Sequence, residues 1–299
     1  MTPSLTVLAA AFTGRSERCR RVRITGVDAL VAEPRRGSDR VVVFANAATP
    51  RGIDESAVGR LVGGLASAGF LAIAPELPHV RRGEVTTATV DTLVAVAEAG
   101  EGAVILVGAS TGAGLAILAA ADPRLTPRVS AVMSIAPFAS LREILRIATT
   151  GHYRNVRFDA VPLVATATAR SLIASAPTDP AVAALLSNRD PRRFDMLFAE
   201  LAPATRALVE ELSPAARIGD IRAPVEILSS PYDAFFPAEE ARLLAAAGRN
   251  VRLTETTALD HVRPRIRPGL VPVMTALHRT LRPADADARR PQLAPSLAS

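Results

Sequence analysis

The sequence predicts an α/β fold: a mostly parallel, eight-stranded sheet with helices on both faces and a helical segment inserted late in the alternation. From residue 20 onward, short runs of β-branched and small apolar residues alternate with longer segments of helical periodicity. Several of the short runs are apolar at consecutive positions, as expected of strands buried on both faces. Between Pro137 and Ser213 the alternation stops, and Pro162, Pro177, Pro180, Pro191 and Pro203 interrupt a helical or irregular pattern.

Residues 21–25 and 29–32 read as an opening hairpin, and 40–44 as a buried strand that empties into the small-residue loop 45–49. Val58, Leu61, Val62 and Leu65 fall on one helical face, and Gly69 supplies the left-handed stop. Residues 70–74 form the next strand, 89–99 a helix, 104–107 a strand, 114–121 an alanine-rich helix and 129–135 a further strand. After the insertion, 225–228 is a strand, and a helix follows with Pro237, Glu239 and Glu240 in its first turn and Gly248 at its end. Residues 251–254 make the last strand, and Leu270, Met274, Leu277 and Leu281 mark the closing amphipathic helix. The expected organisation is an N-terminal extension (1–19), a core (20–140 and 214–281), a helical cap (141–213) and a disordered polar tail (282–299). The apolar cap segments 141–147 and 181–186 either line an acyl pocket or pack onto the core.

Composition excludes several functions. The net charge is +6, yet all 35 basic residues are arginine and they are scattered rather than striped, which fits a coding bias better than a nucleic-acid face. Arg154, Arg157 and Arg170 in the cap read as surface residues rather than an anion site. Without lysine there is no Schiff base, so pyridoxal-phosphate and lysine-aldolase chemistry are out. Cys19 stands alone, which removes a disulfide framework and thiolate-rich zinc sites and suits a reducing cytoplasm. No cofactor or metal is expected. Residues 5–12 are apolar, but the run is short, lacks a preceding basic residue and is followed by Arg15, Arg18, Arg20 and Arg21, so no secretion signal is expected. No apolar window reaches the length that spans a bilayer, and no membrane association is expected. Whether the chain pairs as a homodimer stays open.

The motif that carries chemistry is Gly108-Ala109-Ser110-Thr111-Gly112, a G-x-S-x-G sequence between a strand and a helix. In that context the serine occupies a tight turn that lifts its hydroxyl clear of the backbone. The bland alternative is an ordinary strand-to-helix turn. A base must come from His79, His152, His261 or His278. His278 lies in the closing helix and His152 in the cap, whereas His261 follows the last strand at the sheet edge where Ser110 projects, and is preferred; His79 remains an outside candidate. Asp233, in the loop leaving strand 225–228, is the preferred carboxylate to orient the imidazole. Asp260 ranks behind because adjacent side chains diverge, and 137–140 offers no carboxylate.

At these residues the chain resembles the α/β-hydrolase superfamily over about residues 20–281, in the order serine, acid, histidine. Ala48-Thr49-Pro50-Arg51-Gly52, Ala74-Pro75-Glu76-Leu77-Pro78 and Asp260-His261 make it especially similar to capped actinobacterial members. The resemblance implies Ser110 as nucleophile, His261 as base and Asp233 as acid, and it argues against His79, which precedes the serine. It also implies an oxyanion hole from the backbone N–H groups of Thr111 and Ala48. Where many relatives have His-Gly before that second donor, this chain has Asn46-Ala47, with Asn46 either a turn former or a shaper of the hole. A serine nucleophile argues against haloalkane dehalogenase and epoxide hydrolase chemistry. The expected function is hydrolysis of a carboxylic ester, thioester or lactone of a small hydrophobic substrate through an acyl-enzyme. Acyltransferase, lyase or C–C hydrolase chemistry on the same triad is the alternative, and a non-catalytic binding protein the third reading.

Overall fold

The computed structural model describes residues 2–13, 18–154, 156–158 and 179–282. The expected tail beyond Arg282, and Arg170 within the expected cap, lie outside the described residues.

Eight strands form one sheet: β1 (Arg20–Ile24), β2 (Val27–Ala32), β3 (Arg40–Ala45), β4 (Leu71–Pro75), β5 (Ala103–Ala109), β6 (Val129–Ile135), β7 (Val225–Ser229) and β8 (Val251–Glu255). Their order across the sheet is β1-β2-β4-β3-β5-β6-β7-β8. β2 runs antiparallel to β1 and β4, and every other pairing is parallel. Thr25 and Gly26 close the β1–β2 turn at φ 49° and 84°, the left-handed pair whose twist matches that of the strands it joins. The predicted strands therefore stand, with ends shifted by one or two residues.

The order places the functional edge. From β3 the chain steps outward to β4, then returns past β3 to β5, so the connections after β3 and β5 leave in opposite directions. The register pairs Ala45 with Gly108, which sets the loop after β3 beside the turn that carries Ser110.

Helices cover both faces because the central strands are apolar on both sides. On β3, Val41, Val43 and Ala45 join one buried cluster while Val42 and Phe44 join the other. The first cluster takes Leu93 and Val94 of α3 (Thr87–Ala99), Leu115 and Ile117 of α4 (Thr111–Ala120) and Leu244 of α9 (Ala238–Ala247). The second takes Val62 and Leu65 of α2 (Ser56–Ser67) and Val273 and Ala276 of α10 (Leu270–Leu281). Residues expected only as an extension form helix α1 (Pro3–Thr13), whose Val7 joins this second cluster. α1 approaches α2 so closely that a β-carbon on Gly64 would lie 2.7 Å from that of Ala10. The run 5–12 is short and apolar except for Thr6, so its periodicity gave no helical signal.

Between β6 and β7 the chain passes through α5 (Leu141–Thr150), α6 (Pro180–Ser187), α7 (Phe194–Glu200) and α8 (Pro203–Glu211). Asp179 caps α6 by accepting from the Ala181 N–H at 2.9 Å, with Pro180 in the first turn. Leu141, Ile144, Leu145, Ile147, Val182 and Leu185 are buried in the same cluster as the sheet face, so these segments pack onto the core. Each such side chain contributes about 1.5–3 kcal/mol by leaving water. Arg154 and Arg157 lie on the surface, as expected.

Candidate active site

Ser110 sits where β5 stops and α4 starts. Its backbone is at φ 54°, ψ −123°, a region that a residue with a side chain occupies only at a cost of order 1–3 kcal/mol, held here by surrounding structure. The Ser110 N–H donates to Ile135 O at 2.8 Å, tying the turn to β6. Closeness makes the flanking glycines obligatory. A β-carbon on Gly108 would overlap the backbone of Gly112 and Ala113, and one on Gly112 would overlap the carbonyl oxygens of Ala45 and Asn46.

Asp233 lies in the loop after β7, and its side chain is 1% exposed. Oδ1 accepts the N–H groups of Phe235 at 2.8 Å and Phe236 at 3.0 Å, so the loop wraps around its own carboxylate. His261 opens a two-residue turn between the paired segments Leu259–Asp260 and Arg263–Pro264, at φ 53°, a left-handed conformation in which histidine is enriched among non-glycine residues. That turn aims the imidazole inward. His261 Nδ1 lies 2.7 Å from Asp233 Oδ2, and Nε2 lies 2.8 Å from Ser110 Oγ. An ionised carboxylate only accepts, so Nδ1–H donates to Asp233; Nε2 is then left as the acceptor for the serine O–H. Three residues from three loops meet in one hydrogen-bonded series, an arrangement able to draw a proton from the hydroxyl.

The other sequence candidates lie in other contacts. His79 Nδ1 pairs with Glu84 Oε2 at 2.7 Å, and the guanidinium of Arg82 holds the Glu84 carboxyl below its ordinary range. His152 Nδ1 donates to Thr150 O at 2.8 Å. His278 stands in the last turn of α10. Asp260 points to solvent and pairs with Arg265 at 2.6 Å. Among the described residues no cluster of three His, Cys, Asp or Glu side chains is arranged to hold a metal.

Thr111 is fully buried as the first residue of α4, where backbone N–H groups lack intrahelical partners. Across the gap, Asn46 binds its own loop: Nδ2 donates to Gly52 O at 2.8 Å, and Oδ1 accepts the Ala47 N–H at 2.8 Å. With that amide engaged, the next along the loop belongs to Ala48, which is half-buried.

Two features escaped the sequence reading. Phe235 stacks on the His261 ring with centroids 4.4 Å apart and planes 26° from parallel, while Phe236 meets the same ring at 5.9 Å and 69°. Phe138 meets Phe236 in turn at 5.9 Å, joining this aromatic group to the core. The available signal was two consecutive phenylalanines just after the acid in a chain that has only 9. The second feature is Glu240 in the first turn of α9, a carboxylate with no exposed surface. Oε2 accepts from the N–H groups of Ala139 and Ser140 at 2.7 and 2.8 Å, and Oε1 accepts the Tyr153 hydroxyl at 2.8 Å. Burial pushes the Glu240 carboxyl up from its ordinary pKa, against the three donors.

The strand order, the strained serine turn and the positions of the three side chains together define the α/β-hydrolase fold. Among solved structures, the chain is similar to Est1E from Butyrivibrio proteoclasticus, at a TM-score of 0.54 and 14% identity, covering 88% of this chain and 97% of that one. It is similar to a Pyrococcus furiosus esterase at a TM-score of 0.55 and 14% identity, covering 94% of this chain and 93% of that one. It also resembles the Pyrococcus horikoshii acylaminoacyl peptidase, at a TM-score of 0.54 and 14% identity, with 89% of this chain matched to 40% of the peptidase. The chain thus spans well under half the length of that enzyme. No protein-family model matches the sequence, and no curated protein does. At these identities the likeness establishes the fold.

Proposed function

We propose that the chain is a serine hydrolase that cleaves a carboxylic ester, thioester or lactone of a small hydrophobic substrate through an acyl-enzyme. The observation that carries this reading is the continuous hydrogen-bonded series Ser110 Oγ, His261 Nε2, His261 Nδ1, Asp233 Oδ2, with contacts of 2.8 and 2.7 Å. In the proposed mechanism His261 takes the Ser110 proton as Oγ attacks the acyl carbon, and Asp233 stabilises the imidazolium and fixes its tautomer. The proton then passes from Nε2 to the leaving oxygen. Water, activated by the same imidazole, attacks the acyl-enzyme and restores the serine.

The backbone N–H groups of Thr111 and Ala48 are the proposed oxyanion donors. Thr111 opens α4, so its amide and the positive end of the helix favour developing negative charge at that point. Ala48 is preferred over Ala47 because Asn46 already engages the Ala47 amide. The 141–213 insertion is proposed as the cap that bounds the acyl side. Esterases and a peptidase among the structural neighbours support a hydrolase in general. A lone cysteine is compatible with a reducing cytoplasm.

The test is turnover of 4-nitrophenyl esters of two to twelve acyl carbons, with and without an added alcohol acceptor. Release of free acid with a chain-length optimum supports the proposal. Transfer to the alcohol as the dominant product would move the assignment to an acyltransferase on the same triad.

A further inference from the structure

Resting on the serine hydrolase reading, we infer that Phe235 is the wall of the leaving-group side of the site, and that the preferred substrates carry an aromatic or bulky apolar alcohol. When the acyl group moves to Ser110 Oγ, the C–O bond to the leaving oxygen breaks and His261 Nε2 delivers the proton it took from the serine. The leaving oxygen must therefore sit within hydrogen-bond reach of Nε2, and the carbon skeleton attached to it extends past the imidazole. What borders that ring decides what fits there.

Two aromatic rings border it, and they differ. Phe236 is 5% exposed and packs edge-on against Phe138, so its apolar surface is already satisfied within the core. Phe235 stacks on the imidazole at 4.4 Å yet keeps 39% of its surface in solvent. Its backbone N–H, not its ring, serves the acid by donating to Asp233 Oδ1. The ring is thus an apolar surface beside the proton donor that stays partly in solvent. Tyr232 on the same loop is 83% exposed, and Ile266, just beyond the His261 turn, is 81% exposed. These two loops are joined by the Asp233–His261 hydrogen bond, so the loops that meet at the imidazole carry further exposed apolar side chains. Burying a flat apolar group against Phe235 removes both surfaces from water.

The experiment compares kcat/KM for benzyl and methyl butanoate, whose alcohols have similar acidity but differ by a phenyl ring, in the wild type, Phe235→Ala and Phe235→Leu. The wild type is expected to favour the benzyl ester, and Phe235→Ala to lower the benzyl-to-methyl ratio about tenfold, mostly through KM, with Phe235→Leu between them. If Phe235 only held the imidazole in place, both esters would lose rate together and the ratio would stay fixed, which would overturn the inference. Labelling of wild-type Ser110 by a fluorophosphonate separates the two failures. A labelled enzyme with an unchanged ratio sinks the leaving-group wall alone, whereas a folded wild type that resists labelling removes the hydrolase reading and this inference with it.

Discussion

A side chain on Gly112 would overlap the carbonyl oxygen of Asn46: the first turn of α4 and the loop after β3 are in backbone contact. That contact sets the loop that carries Ala48 beside the helix that opens with Thr111. Gly112→Ala is therefore expected to cost about 3 kcal/mol or more, because backbone rather than a flexible side chain must move. Gly59 in α2 has only Leu30 Cδ2 nearby, at 4.0 Å, and Gly59→Ala is expected to stabilise by about 0.5–1 kcal/mol. Urea unfolding followed by circular dichroism measures both.

Asp233→Asn keeps an oxygen to accept the Phe235 and Phe236 N–H groups, but turns an amide N–H₂ toward His261 Nδ1. The imidazole must then accept at Nδ1 and carry its proton on Nε2, where it cannot take one from Ser110. Ester turnover is expected to fall about 10³–10⁴-fold with stability nearly unchanged. Asp233→Ala loses those acceptors as well and should lower the melting temperature.

Asn46→Ala removes both side-chain bonds that shape the loop before Ala48. With the second proposed donor loosened, kcat should fall about tenfold to a hundredfold while KM changes much less, since the oxyanion forms only in the transition state. Steady-state kinetics on one 4-nitrophenyl ester reads the split.

Glu240 gives stability a pH dependence of predictable sign. Burial raises its carboxyl pKa in the folded chain, so between the unfolded value and the raised one the native state holds the extra proton. Its stabilising contribution is full below about pH 4.3 and declines as pH rises through the folded value. Glu240→Gln keeps an acceptor for Ala139 and Ser140 and cannot ionise, so wild type should lose stability relative to this variant as pH rises from 4 to 7. Urea midpoints across that range test it, and a difference that grows in the opposite direction would contradict the assignment.

The strands were legible because 41–44 and 104–107 are continuous apolar runs and 129–135 is apolar except for two serines, as expected of strands covered on both faces. Ser110 was legible from local chemistry, since the glycines around it answer to backbone contacts within a few residues or across one strand pairing. Asp233 and His261 were legible only through their positions after strands, because their hydrogen bonds join residues 28 and 151 positions apart. What periodicity could not carry was α1, a short helix with no polar face, and the partners of Phe235 and Glu240. Those partners depend on how loops fold over the sheet edge, and on hydrogen bonds from Ala139 and Ser140 across about a hundred residues of chain.

The central claim is most directly tested by treating the folded protein with a fluorophosphonate and mapping the adduct by mass spectrometry. The account predicts one adduct, on Ser110, absent in Ser110→Ala and formed at least about 10³-fold more slowly in His261→Ala. A folded wild type that remains unlabelled, or an adduct on any other residue, would contradict it.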